Sequence, residues 1–324
     1  MTDGSTRFVV TGRIPETAVE MLREAGEVVV ADTDSALPRE QVLALVAGAD
    51  ALLSLLHTQV DDELLDAAGP GLRCVCNVGV GYDNIDVAAV HRRGIPATNT
   101  PGVLDDATAD LTLALLLAAA RRLGEGERVI RSQTPWVWAM SYMLGHDLRG
   151  KRLGIVGLGG IGRQVAQRAR AFGMEIVYSG RRDADPAVVA ALEAERLDLE
   201  ELLATSDFVS LHCPLNDETR HLLDVRRLAL MKPGSILVNT ARGPVVDEAA
   251  LVEALREGPL AAAALDVYEH EPEVHPGLLE LDNATLVPHL GSATVETRRA
   301  MAELAARNAI AVLAGDPPLT PVPG

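Results

Sequence analysis

The sequence predicts an α/β fold made of two parallel-sheet domains with a cleft between them. Three observations lead there. The chain has 324 residues, about twice the ~150 residues of a typical single domain. Short apolar runs alternate with helical stretches in two successive series, the pattern of parallel strands covered by helices. The second series opens with a strand that runs directly into a glycine-rich turn and a helix, Gly157-Leu-Gly159-Gly160-Ile161-Gly162, the arrangement with which doubly wound sheets hold phosphate groups.

The first series begins at Phe8–Thr11, followed by a helix near Glu16 to Glu24, the run Val28–Ala31, a helix near Pro38 to Ala47 and the run Ala51–Leu56. Leu72–Cys76 supplies a further strand and ends in a glycine-marked turn, Val78–Asp86, whose glycines at 79 and 81 leave backbone amides uncovered. The stretch Ile95–Gly102 carries two prolines and a glycine and reads as a connector. A long helix from about Leu104 to Arg122 follows it, so the domain boundary falls near Pro101.

The second series contains six short runs: Arg152–Val156, Glu175–Tyr178, Phe208–Leu211, Ser235–Val238, Ala262–Leu265 and Thr285–Val287. Residues 184–204 are rich in Ala and Glu and read as a solvated amphipathic helix. The last helix, near Ser292 to Ala314, has no strand to follow it, which is explained if it packs back onto the first domain. The expected organisation is therefore a discontinuous substrate domain, 1–101 plus 291–324, and a dinucleotide-binding domain, 102–290. Both sheets would be Rossmann-like or flavodoxin-like.

Composition narrows the function. Hydrophobic residues make up 48% of the chain but aromatics only 3%, so the interior is aliphatic. There are 29 basic against 46 acidic residues, a formal charge of −17, and Lys151 and Lys232 are the only lysines. Such a charge repels nucleic acid. The longest apolar run, Leu111–Ala120, falls short of the ~20 residues that span a bilayer, so no membrane partner is expected. Residues 1–7 lack the basic and apolar regions of a secretory signal. Cys74 and Cys76 lie two apart on one strand face and Cys213 is remote, which fits neither a zinc site nor a disulfide framework. Reduced thiols in a cytoplasmic protein without a metal follow.

In the glycine turn, successive glycines serve the tight turn, the approach of backbone to a pyrophosphate, and close helix–strand packing. The helix N-terminus adds free N–H groups and partial positive charge. An acid that would bond the adenosine ribose is expected at the end of the second strand. The chain instead reads Tyr178-Ser179-Gly180-Arg181-Arg182. A hydroxyl and two guanidinium groups suit a 2′-phosphate, so NADP(H) is favoured, with NAD(H) as the alternative; the arginines could also be plain loop charges.

A series of motifs runs through the chain in order: Val80-Gly-Tyr-Asp-Asn-Ile-Asp86, Ala107-Thr-Ala-Asp110, Gly157–Gly162, His212-Cys-Pro214, Asn239-Thr-Ala-Arg-Gly243, Asp266-Val-Tyr-Glu-His-Glu-Pro272 and Pro288-His-Leu-Gly-Ser292. In this set the chain resembles the D-2-hydroxyacid dehydrogenases over nearly its whole length, and within them the glyoxylate/hydroxypyruvate reductase branch. The resemblance implies an active site of Arg242, Glu271 and His289. The chemistry agrees. Arg242 follows a strand and can grip a 2-oxo acid through its carboxylate and ketone oxygens. His289 follows another and, as imidazolium, can donate the proton that a nascent alkoxide needs. Glu271 would orient it and favour the charged ring. Taken singly, each also fits a bland reading: a surface arginine, a capping histidine, a solvated glutamate.

Further positions follow from the resemblance alone. The amides of Val80 and Gly81 would cradle the substrate carboxylate, with Leu55 beside it. Thr108, Cys213, Pro214, Thr219, Thr240, Ala241, Asp266 and Gly291 would join the glycine turn and residues 179–182 around the cofactor, Asp266 as acceptor for the nicotinamide amide. Trp138 matches a tryptophan that in this branch reaches into the partner subunit's active site, implying a homodimer. Asp110 stands where many members have Glu. The expected activity is reduction of a small 2-oxo acid such as glyoxylate or hydroxypyruvate. Phosphoglycerate, lactate and phosphite types remain as alternatives within the family. A formate type is disfavoured by Glu271, and a dinucleotide-sensing corepressor scaffold is the alternative from another class.

Overall fold

A computed structural model describes residues 6–323; most of the N-terminal stretch inspected for a targeting signal lies outside them. The chain divides into two compact units, residues 1–104 with 292–324, and residues 105–291.

The first unit is a five-stranded parallel sheet ordered β2-β1-β3-β4-β5. Its strands are β1 (Arg7–Val10), β2 (Glu27–Val30), β3 (Ala51–Ser54), β4 (Cys74–Asn77) and β5 (Ala97–Thr98), and α1 (Glu16–Ala25), α2 (Arg39–Val46), α3 (Asp62–Ala68) and α4 (Val87–Arg92) connect them. This is the flavodoxin-like order. β3 and β4 are buried at every position, as strands covered on both faces must be. Asp61 and Asp86 cap α3 and α4 by accepting the N–H groups of Leu64 and Ala89, which satisfies donors that a helix start leaves open. β5 lies within the stretch expected to be a connector. It pairs with Val75 and Cys76 at the sheet edge, the one place where neighbouring prolines do not break a ladder.

The second unit is a seven-stranded parallel sheet ordered β12-β11-β10-β9-β6-β7-β8. Its elements are, in chain order, α5 (Asp105–Ala120), α6 (Leu123–Arg131), β6 (Arg152–Val156), α7 (Gly160–Ala171), β7 (Glu175–Ser179), α8 (Pro186–Leu192), β8 (Glu195–Arg196), α9 (Leu199–Thr205), β9 (Phe208–Leu211), α10 (Val225–Leu230), β10 (Ser235–Asn239), α11 (Glu248–Arg256), β11 (Leu260–Leu265), α12 (Pro276–Leu279) and β12 (Ala284–Leu286). Side chains alternate between two cores: Leu153, Ile155, Phe208, Ile236 and Val238 pack toward α5 and α7, whereas Val156, Val209, Leu211 and Leu237 pack toward α9 and α11. The sheet therefore has a seventh strand beyond the six apolar runs. Residues 184–204 do not form one solvated helix: α8 stops where Glu193 takes a left-handed φ of 48°, β8 pairs with Val177 and Tyr178, and α9 buries Leu202 and Leu203 completely.

The last helix, α13 (Val295–Ala314), belongs to the first unit. It buries Met301, Ala302, Ala305, Ala306 and Ala309 and packs on α1, β3 and β4. Among the described residues no helix is long and apolar enough to cross a membrane, and no group of three or more His, Cys, Asp or Glu is placed to hold a metal ion.

Candidate active site

Strand order in the second unit reverses between β6 and β9, the switch point beside which doubly wound sheets bind ligands. The glycine turn leaves β6 here. Gly157 has φ +98°, and a Cβ on it would sit 2.9 Å from the backbone of His212 and Cys213. A Cβ at Gly162 would lie 2.2 Å from the Gly157 carbonyl oxygen, so α7 can approach β6 only without a side chain there. At Gly159, the N-cap, no side chain caps the helix and a Cβ would meet nothing within 4 Å. Gly159 and Gly160 are exposed, Ile161 is half-buried. The result is an uncapped helix start, open at Gly159 and flanked at Gly160 by the Asp105 carboxylate, 2.3 Å from where a Cβ would sit; its free N–H groups suit a diphosphate.

The remaining cofactor candidates surround that turn. Ser179 ends β7 and its carbonyl accepts the N–H of Gly157 at 2.8 Å. Arg196 donates to the Gly180 carbonyl at 2.9 Å. Arg181 is exposed and ion-paired with Glu218 at 3.0 Å, and Arg182 is exposed. The loop after β9 brings Pro214 and Thr219 together, since the Thr219 hydroxyl donates to the Pro214 carbonyl at 2.6 Å. Cys213 is half-buried, and burial pushes its thiol up to about 11; it stays neutral. Burial also holds His212 neutral, lowered to about 3, with its Nε2 against the Ser210 hydroxyl at 2.8 Å.

A second group forms where β10, β11 and β12 end. Thr112 Oγ1 bridges the carbonyl of Thr108 (2.8 Å) and the hydroxyl of Thr240 (2.9 Å). The Asn239 side chain accepts the N–H of Ala241 and donates to the carbonyl of Arg242, so this asparagine shapes the loop that presents the guanidinium. Asp266 accepts the N–H groups of Leu290 at 2.5 Å and Gly291 at 2.8 Å. Its carboxyl is raised, mainly by burial. These bonds fold the chain back around His289, whose φ of 52° is left-handed. A side chain at Gly291 would press on Asp266 and Thr108 at 3.1 and 3.3 Å, so these candidates adjoin.

Glu271 lies against His289. Its Oε2 accepts from His289 Nδ1 at 2.8 Å and its Oε1 accepts the N–H of Tyr268 at 3.0 Å. Burial disfavours the charged carboxylate, but the hydrogen bond and charge of His289, the Tyr268 N–H and the charge of Arg242 outweigh it and hold Glu271 below the usual glutamate range. With Nδ1–H directed at the carboxylate, Nε2 is the nitrogen left to exchange a proton. Arg242, half-buried, also donates to the Ala241 carbonyl at 2.9 Å.

Leu55, Val80 and Gly81 belong to the first unit, at the ends of β3 and β4. The carbonyls of Val80 and Gly81 accept from Asn99 (2.7 Å) and Asn77 (2.6 Å), which fixes the peptide planes of that turn. Leu55 is half-buried and fills the space over Gly12, where a Cβ would come within 2.4 Å of it. Trp138 is 78% exposed, with Val137, Met140 and Leu144 also exposed beside it. Asn239 opens one of the ordered motifs, whereas His221, whose main-chain N–H donates to the Pro244 carbonyl at 2.7 Å, lies in none of them.

Residues 113–291 match the NAD-binding domain of the D-isomer-specific 2-hydroxyacid dehydrogenases. The chain is 49% identical to a glyoxylate reductase from Thermococcus onnurineus over 319 residues, 97% of this chain and 95% of that protein. Among solved structures, a protein from Thermus thermophilus is 48% identical with a TM-score of 0.91, covering 98% of this chain and 100% of the other. An NADPH-dependent glyoxylate/hydroxypyruvate reductase from Sinorhizobium meliloti, solved with NADP and malonate, is 35% identical with a TM-score of 0.87, covering 98% of this chain and 97% of the other. With these matches spanning nearly its full length and both parallel sheets, the chain belongs to the D-isomer-specific 2-hydroxyacid dehydrogenases, nicotinamide-dinucleotide oxidoreductases that interconvert 2-oxo and 2-hydroxy acids.

Proposed function

We propose that the protein reduces glyoxylate or hydroxypyruvate to the 2-hydroxy acid with NADPH. The observation that carries this reading is the His289–Glu271 pair, bonded at 2.8 Å with the charge of Arg242 acting on the same carboxylate. The relatives support the substrate: the Thermococcus onnurineus and Thermococcus kodakarensis proteins, 49% and 50% identical, are glyoxylate reductases. When bound, the dinucleotide supplies the hydride that reduces the 2-oxo carbon. Arg242 holds the carboxylate and ketone oxygens through its planar fork and polarises the carbonyl. His289 Nε2–H donates its proton to the ketone oxygen as negative charge develops there. Glu271 fixes the ring by its Nδ1–H and stabilises the imidazolium before the proton leaves. In the reverse direction neutral His289 removes the hydroxyl proton.

For the cofactor, Ser179, Arg181 and Arg182 are the proposed 2′-phosphate ligands, in a turn without the acid that a free ribose hydroxyl would need. Initial rates with NADPH and NADH against glyoxylate and hydroxypyruvate test both parts. A higher kcat/KM with NADPH is expected. A higher value with NADH overturns the cofactor assignment, and no turnover with either acid and either cofactor overturns the enzymatic reading in favour of a dinucleotide-binding scaffold.

The proposed assembly is a homodimer. α6 buries none of its residues, and Leu123, Ile130, Trp136, Val137, Trp138, Met140 and Leu144 are all exposed on one stretch of chain, more apolar surface than scattered single residues explain. Burial against a second copy would cover it and bring Trp138 to the partner. Sedimentation at twice the chain mass is expected; a stable monomer at micromolar concentration overturns this.

A further inference from the structure

Behind the proposed catalytic residues lies a second cluster of charged groups, on no part of the cofactor turn. Glu248, the first residue of α11, is buried, 5% exposed. Its Oε1 accepts the N–H of Glu269 at 2.7 Å. One buried side chain therefore holds the main chain two residues before Glu271. The bond is reciprocated: Glu269 Oε2 accepts the N–H of Glu248 at 3.3 Å, a first-turn donor of a nine-residue helix, where a carboxylate is favoured by the unsatisfied amides. Glu269 Oε1 lies 2.5 Å from His221 Nε2.

His221 makes the connection to the other catalytic loop. Its backbone N–H donates to the Pro244 carbonyl at 2.7 Å, two residues beyond Arg242, and Leu223 N–H donates to Val245 at 3.0 Å. The residue holds a left-handed φ of 49°, a conformation that an L side chain adopts at some cost in strain and that persists only where surrounding bonds hold it. One histidine thus contacts the loop that presents Arg242 through its main chain and the loop that presents Glu271 through its ring.

We infer that His221, Glu269 and Glu248 form a positioning device that sets the spacing of Arg242 from the Glu271–His289 pair. This rests on the catalytic roles proposed above. None of the three is a catalytic residue: Glu269 and Glu248 bond to backbone and to each other, and His221 bonds to Glu269. Their effect is on geometry, to which catalytic groups are sensitive because a displacement of about 1 Å can lower a rate ~100-fold.

The test uses the full-length enzyme with four variants. His221→Ala and Glu248→Ala remove a link; His221→Gln keeps a donor to Glu269, and Glu248→Gln keeps an acceptor for the Glu269 N–H. His221 is 41% exposed at its side chain and lines a cavity of about 360 Å³ with His270 and His275, so water can fill the space left by its ring. If Glu248→Ala does not fold, His221→Ala decides the matter. The expected result is a ~10-fold fall in kcat for 2-oxo acid reduction in the alanine variants. The solvent deuterium isotope effect on kcat should rise, because proton donation slows relative to hydride transfer. Most of the rate should return in the glutamine variants. The isotope effect is a ratio, so a fraction of unfolded enzyme leaves it unchanged. An unchanged kcat in His221→Ala, a lower kcat with an unchanged isotope effect, or glutamine variants as impaired as the alanine ones each overturns the positioning role. His289→Ala serves as the control: if it loses activity while His221→Ala does not, only the positioning role falls. If His289→Ala retains full activity, the catalytic reading fails first.

Discussion

Bond geometry separates His289 from an ordinary partly exposed histidine. Its Nδ1 is committed to Glu271, and Glu271 is held below the usual glutamate range by His289, Tyr268 and Arg242 against the opposing effect of burial. A lowered carboxyl stays ionised throughout the neutral range, so the ring always faces an anion. General acid catalysis is typically worth ~10²–10⁴-fold; His289→Ala should lower kcat for reduction by that order with an unchanged thermal unfolding curve, and an unchanged kcat removes His289 from the mechanism. Arg242, Glu271 and His289 could be nominated from the sequence because each sits in an ordered motif. His221 and Glu248 could not, because their bonds to Glu269 span 48 and 21 residues and no local spacing announces them. Arg181 illustrates the same limit: its sequence neighbours point to a 2′-phosphate, while its pairing with Glu218 comes from a loop 37 residues away.

At the level of elements, the apolar runs of β6, β9, β10 and β11 announced themselves, because strands covered on both faces read as continuous hydrophobic stretches. The two-residue strands β5 and β8 carry too few residues for any periodicity, and only their pairing defines them. The starts of β6, β9 and β10 meet at one residue that composition alone would not single out, through its carboxylate at β6 and its main chain at β6 and β10. Asp207 precedes β9. Its carboxylate accepts the N–H of Arg152 at 2.9 Å, its own N–H donates to the Arg152 carbonyl, and its carbonyl accepts the N–H of Ile236. The only two lysines of the chain both approach it, Lys232 at 2.8 Å and Lys151 at 3.9 Å. Burial opposes ionisation of Asp207, and the Lys232 and Arg152 hydrogen bonds outweigh it, so its carboxyl lies below the ordinary 3.8. A group lowered on folding stabilises the native state above its unfolded value and loses that contribution as pH falls through the folded one. Asp207→Asn should therefore destabilise the protein by about 2 kcal/mol near pH 7. In urea unfolding the gap from wild type should close as pH drops below 3.8. A gap that is the same at both ends of that range assigns the loss to packing instead of charge.

For the molecule as a whole, the excess of acid and the near absence of lysine have a structural counterpart. Arginine forks hold two carboxylates each: Arg13 takes Asp32 and Asp34, Arg39 takes Asp61 and Glu63, Arg93 takes Asp62 and Asp66, and Arg168 takes Asp106 and Asp110. A planar group with five donors can do this where an ammonium point charge does so less well. Even so the net charge remains −17, and the proposed cofactor and substrate are both anions. Their binding depends on local charge overcoming the general field, and salt separates the two. At about 0.1 M the Debye length is already ~10 Å, so most of the distant acidic surface is screened; raising salt to ~1 M shortens it to ~3 Å and acts on near contacts. NADPH differs from NADH by the 2′-phosphate alone, so the difference between their salt responses reports the groups beside that phosphate. Between these concentrations the Kd for NADPH should rise more steeply than that for NADH, and Arg181→Asp should flatten the difference while leaving the NADH response unchanged. Parallel slopes for the two cofactors in the unsubstituted protein would place the 2′-phosphate away from the arginines of residues 179–182 and remove the electrostatic basis of the proposed NADPH preference.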